Sequence, residues 1–151
     1  MPNVTATKVL NSKAENSILP VYKGPAALLD ALQDLHDEII KASSQMENSK
    51  AMEKSVFQKI VDTGLLRALH PKDLGGAEYS APEMLPLIEE IAKADGSTAW
   101  SFMVAAEMPA IFQRFSKLVQ SEIFKDSCDV LARAPLTPQP GTKKIDGGFL
   151  V

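Results

Sequence analysis

The side chains able to do chemistry in this sequence are few and scattered. His36 and His70 lie far apart on different predicted elements. Taken alone, they read as a helix-flank histidine and a histidine at a helix end or in a loop. Cys128 is the single cysteine. It has no disulfide partner and no Cys or His at zinc-ligand spacing. An acid/base pair or a metal site would have to draw on Asp62, Asp73, Glu89 and Glu90. Adjacent helical positions point about 100° apart, so Glu89 and Glu90 cannot face one ligand together. All four acids therefore read as solvated surface charge. There is no phosphate loop ending in Lys-Ser or Lys-Thr, no HExxH, no GxSxG and no Cys-His nucleophile pair. Gly75-Gly76 is not followed by a helix N-terminus carrying a basic residue, so it reads as a structural turn rather than a phosphate cradle. No catalytic residue and no metal ligand is assigned.

The bulk of the sequence suits a soluble globular chain with an apolar core. It has 151 residues, 45% hydrophobic and 23% charged, enough to bury roughly two thirds of its unfolded surface without a disulfide or a metal. The formal net charge of −3 and the shortness of Lys143-Lys144 speak against a nucleic-acid footprint. No apolar run reaches the roughly 18 residues of a membrane span, and residues 1–17 lack the apolar stretch of a signal peptide. With one cysteine, the expectation is a cytoplasmic protein with neither membrane nor nucleic-acid partners.

The elements follow from periodicity. Residues 1–24 are polar, end in Leu19-Pro20 and Gly24-Pro25, and read as a mobile arm. Leu28, Leu32, Leu35 and Ile39 predict one amphipathic helix from Pro25 to about Gln45. A second is predicted over 51–68, with Glu53 and Lys54 on its wet side and Gly64 weakening it. Ser80-Ala81-Pro82-Glu83 has the form of a capping box for a third helix ending near Ala94, bent by Pro86. Asp95 or Ser97 can cap a fourth, from Thr98 to about Phe115, apolar nearly all round and therefore central, with a kink at Pro109. A short fifth helix spans 117–125. Beyond Asp129 prolines exclude helix, and residues 143–151 read as strand, tight turn, strand. The organisation expected is an arm (1–24), a helical domain (25–128), and a crossover segment opening a β-region (129–151). A lone hairpin is marginal in water, so the β-region is expected to be truncated.

Several segments in order carry a resemblance: Gly64-Leu65-Leu66, Pro71-Lys72-Asp73-Leu74-Gly75-Gly76, Ile88-Glu89-Glu90-Ile91-Ala92, Ala94-Asp95-Gly96-Ser97-Thr98-Ala99-Trp100, and Pro140-Gly141 leading to Gly147-Gly148-Phe149-Leu150-Val151. Together they resemble the N-terminal half of acyl-CoA dehydrogenase superfamily proteins. The Asp-Gly-Ser-Thr-Ala-Trp form is most similar to the flavin-dependent hydroxylase (monooxygenase) branch. The resemblance implies an all-α fold of the acyl-CoA dehydrogenase N-terminal type, ending in the first β-hairpin of a missing middle β-domain. It implies an oxidoreductase whose full-length form holds FAD or FMN, hydroxylates a small aromatic or polycyclic substrate or desaturates an acyl-CoA, and forms a homo-oligomer. This chain, lacking the family's main flavin-contacting segments and its catalytic base, is expected to be incomplete for catalysis and to retain no flavin.

The same resemblance places Trp100, Met103, Val104 and Glu107 on a helix lining the substrate and flavin pocket. It places Ala134, Leu136 and Thr137 in a crossover segment whose backbone approaches the flavin. Against the wall role stands the reading that Trp100, Met103 and Val104 are simply core. Against the enzyme stands a different class, a catalytically silent helical module that binds a partner through an apolar face.

Overall fold

The computed structural model describes residues 24–132 and 140–150. The arm predicted before Gly24 and the crossover positions Ala134, Leu136 and Thr137 lie outside the described residues.

Among the described residues there are six α-helices and one hairpin. Pro25 opens α1 (Pro25–Gln33), where a missing N–H costs nothing. The single first helix expected from the sequence is two: α2 (His36–Ser49) begins after a turn at Asp34 and Leu35. There the backbone tightens, Leu35 N–H donating to the Leu32 carbonyl at 3.1 Å. Breaking the axis lets α1 bury Leu28 and Leu32 while α2 buries Ile39 and Met46. A straight rod could not keep all four against one neighbour.

The second predicted helix is shorter at both ends. Glu53, expected on the wet side as an ordinary helical residue, is the N-cap of α3 (Lys54–Asp62). Its carboxylate accepts from the N–H groups of Ser55 at 2.8 Å and Val56 at 3.0 Å. Those bonds, with the Ser55 hydroxyl contributing most, hold the carboxyl below the usual glutamate range. At the other end Gly64 adopts φ +84°, a left-handed angle that breaks the helix, and Leu65–Arg67 continue as a 3-10 turn.

Helix α4 (Ala81–Ala94) starts at the capping box read from the sequence. Glu83 accepts from the Ser80 N–H at 2.8 Å and from its hydroxyl at 2.6 Å. This helix, not the more apolar α5, is the centre of the fold: α1, α2 and α5 all pack on it. Its residues Met84, Leu87 and Ile91 join Leu32, Ile60, Leu65 and Phe102 in one continuous core. Each such side chain contributes about 1.5–3 kcal/mol relative to exposure.

Helix α5 runs from Gly96 to Ala110, and a 3-10 turn, Ile111–Arg114, follows it. Pro109 therefore marks the end of α-helical geometry rather than a mid-helix kink. It lacks the N–H that would donate to the Ala105 carbonyl one turn earlier. Helix α6 (Lys117–Phe124) is capped by Ser116. Strands β1 (Lys143–Ile145) and β2 (Gly148–Leu150) pair antiparallel, Lys144 opposite Phe149, around a turn in which Gly147 takes φ +79°. Among the described residues no helix is long and apolar enough to cross a membrane.

Candidate functional site

The site begins with the cap of α5. Asp95 is extended (φ −159°), and its carboxylate accepts from the Thr98 N–H at 2.6 Å, which caps the start of the helix. Thr98, Ala99, Phe102, Ala106 and Pro109 are then buried. Mostly small residues on this stripe let α5 lie close to α4, while Phe102 meets the Phe57 ring at a centroid distance of 5.5 Å.

Burial of that stripe turns the other apolar residues outward. Trp100 is 65% exposed, Met103 and Val104 are half-buried, and Glu107 is exposed. With Ile111, 46% exposed, they recur three or four apart and share one face. The four residues singled out in the sequence thus stand on one face, Trp100 and Glu107 open and Met103 and Val104 half-buried. Trp100 is not part of this domain's core, and the expectation that α5 is the central helix is corrected. A helix apolar on every side is buried only if neighbours exist on every side.

The face is a wall rather than a closed pocket. Its flat indole, thioether and branched side chain suit contact with a planar ring. Nothing at Gly75-Gly76 adds a phosphate cradle, because that loop is filled. A Cβ on Gly75 would sit 2.4 Å from Cys128 Sγ, and one on Gly76 would sit 2.1 Å from the His70 carbonyl oxygen.

A cleft of about 250 Å³ opens beside the first turn of α5, lined among others by Ser43, Glu47, Lys50, Asp95, Ser97 and Ser101. Asp95 already occupies the helix N-terminus there, and Glu47 sits 2.5 Å from Lys50, so the cleft offers no unopposed charge to a ligand.

Among the described residues, three buried ionisable side chains were missed by sequence reasoning. Glu90, expected as surface charge, is buried at 7% exposure. Its carboxylate meets Lys93 at 2.9 Å and approaches His36 Nδ1 at 3.6 Å. The hydrogen bond from Lys93 is the largest cause of its lowered pKa. Its spacing held a signal, since Glu90 lies three on from Leu87 and beside Ile91, on the apolar stripe of α4. Asp62, Asp73 and Glu89 are exposed as expected. Arg67 is 4% exposed, its Nε 2.8 Å from Asp129 Oδ1. Its signal was a lone cation inside the apolar run Leu65–Leu69. His70 is 1% exposed and stands edge-on to Phe124, ring centroids 5.6 Å apart. Burial, then the nearby Arg67 charge, lowers its pKa to about 4.

The helical fold, its capping box and the Asp95-led helix define a class. Residues 26–123 match the model of the acyl-CoA dehydrogenase N-terminal domain, and the chain belongs to that family. Among its relatives is the oxygenase component of p-hydroxyphenylacetate 3-hydroxylase from Acinetobacter baumannii, 27% identical over 83% of this chain and 30% of the relative. Another is indole-3-acetate monooxygenase of Acinetobacter baumannii, 29% identical over 82% of this chain and 31% of the relative. The crystal structure of the HsaA monooxygenase from M. tuberculosis superposes with a TM-score of 0.79 at 20% identity, over 85% of this chain and 35% of that one. The chain spans about a third of the length of these proteins.

Proposed function

We propose that this domain serves a flavin-dependent monooxygenase, acting on a small aromatic substrate, and that its part is to close one side of the flavin and substrate pocket with the outer face of α5. The observation that carries the reading is the exposed Trp100, held outward by a helix whose opposite face is locked in the core. Two relatives named for aromatic acids support an aromatic substrate over an acyl-CoA.

Flavin, when bound, supplies the redox chemistry, and the protein supplies binding, orientation and exclusion of water. In this domain Trp100, Met103 and Val104 would give the ring system an apolar neighbour, and Glu107 the one ionisable group on that face. FAD and FMN are both compatible with a wall of this kind. A cytoplasmic location and a homo-oligomer belong to the same proposal, as does a backbone contact from Ala134, Leu136 and Thr137.

The test is Trp100→Ala in the full-length protein. Flavin affinity and turnover of a p-hydroxyphenylacetate or indole-3-acetate probe should fall at least about tenfold with the unfolding midpoint nearly unchanged. Unaltered kinetics would overturn the reading and favour a silent helical module, for which the same face would be a partner surface.

A further inference from the structure

Where the chain leaves the helical domain, residues 127–132 run across the 3-10 turn Leu65–Arg67 and the glycine loop. Among the described residues no backbone-to-backbone hydrogen bond joins this stretch to another element. Side chains hold it instead. Cys128 Sγ packs where a Cβ on Gly75 would stand, Leu131 rests against the core, and Asp129 meets the buried Arg67 at 2.8 Å. Gly64 at φ +84° produces the turn that puts Arg67 inside.

We propose that Arg67 and Asp129 form a clasp that positions segment 127–132, and so sets the path by which the chain leaves this domain toward the flavin. The second half rests on the monooxygenase reading above. A buried ion pair is a poor source of net stability, because both charges lose water. Here burial raises the Asp129 pKa more than Arg67 lowers it. What such a pair does supply is a preferred geometry: with the segment in this register Asp129 lies 2.8 Å from Arg67, and a shifted segment would leave both charges buried apart. Gly75 extends the constraint, since any other residue there would displace Cys128.

Cys128, the single cysteine, is a reporter built into the segment. The experiment follows its modification by 5,5′-dithiobis(2-nitrobenzoate) in this chain, in wild type and in Asp129→Asn, across a pH series so that rates are compared at full thiol ionisation. Asp129→Asn is nearly isosteric. Arg67→Met/Asp129→Leu, which leaves no orphan charge, is the second variant should the first fold poorly. Labelling is expected to rise about tenfold or more in both variants, with the global unfolding midpoint held in the double variant, where no buried charge is left unpaired. An unchanged rate in both variants overturns the clasp.

The full-length protein provides the second readout. Asp129→Asn should weaken FAD or FMN binding about fivefold or more, and Arg67→Lys, which keeps the charge but loses the planar fork, should fall between it and wild type. Faster labelling with unaltered flavin affinity, in a protein where Trp100→Ala does weaken flavin binding, overturns the positioning role. If Trp100→Ala has no effect either, the pocket reading is what has failed, and the labelling result still decides the clasp.

Discussion

Trp100 and Phe102 are two residues apart on one helix and lie on opposite faces of it. Phe102 is 1% exposed, against Phe57, while Trp100 is 65% exposed. About 200° of helical rotation separates them. Truncating the two should therefore have opposite profiles. Phe102→Ala is expected to lower stability by about 3–5 kcal/mol through lost contacts and a cavity. Trp100→Ala should cost less than about 1 kcal/mol in the isolated chain, in keeping with a surface position. Urea denaturation of both variants checks this. A Trp100 variant as unstable as the Phe102 one would return Trp100 to the core.

His70 makes stability depend on pH. Its folded pKa of about 4 lies below the ordinary value of 6.5, so the native state resists a proton that the unfolded chain accepts. The contribution is fully present above about pH 6.5 and is lost as pH falls toward 4, amounting to at most about 3 kcal/mol. Asp129, with a pKa raised by burial, acts with the opposite sign at the acid end. Denaturation midpoints of wild type and His70→Phe between pH 7 and 4 isolate the histidine. The wild type should lose more than the variant over that interval, and parallel curves would show that His70 is not held neutral by the fold.

Gly76 and Gly96 predict contrasting tolerance. A methyl on Gly76 would lie 2.1 Å from the His70 carbonyl oxygen, backbone that cannot swing aside, whereas one on Gly96 meets nothing within 4 Å. Gly76→Ala should cost roughly 2–4 kcal/mol, and Gly96→Ala, in the first turn of α5, should be neutral or stabilising by up to about 1 kcal/mol. Thermal midpoints of the two variants give the comparison. A well-tolerated Gly76→Ala would mean the loop crossing is looser than the structure shows.

The caps can be weighed against each other. Asp95 accepts from Thr98 and Glu53 from Ser55 and Val56. Asp95→Ala is expected to cost about 1 kcal/mol, within the usual 0.5–2 range for a lost cap. Because Asp95 caps the helix that carries Trp100, the Trp100 fluorescence maximum should shift more in Asp95→Ala than in Glu53→Ala. Equal spectra would separate the cap from the orientation of the outer face.

The isolated chain should be rich in helix by circular dichroism and, on the wall role proposed for α5, colourless after purification, since one open face cannot enclose a flavin. A yellow protein with stoichiometric FAD or FMN would show that the remaining contacts exist within this chain.

Local chemistry was legible in the sequence because it depends on neighbours along the chain. The Ser80–Glu83 capping box, the start of α1 at Pro25 and the hairpin turn at Gly147 each depend on residues only a few positions apart, and the family motifs are each a short segment. What depended on partners distant in sequence was not legible. Periodicity alone could not show that α1 and α2 break at Leu35 so that both can face α4. It could not show that Glu90 is buried beside His36 and Lys93, or that Arg67 finds Asp129 across the loop. The outward face of α5 belongs to the same group. Its composition allowed burial on every side, and only packing determined that Phe102 turns in against Phe57 and Trp100 turns out, because a helix buries the faces for which the fold supplies a neighbour.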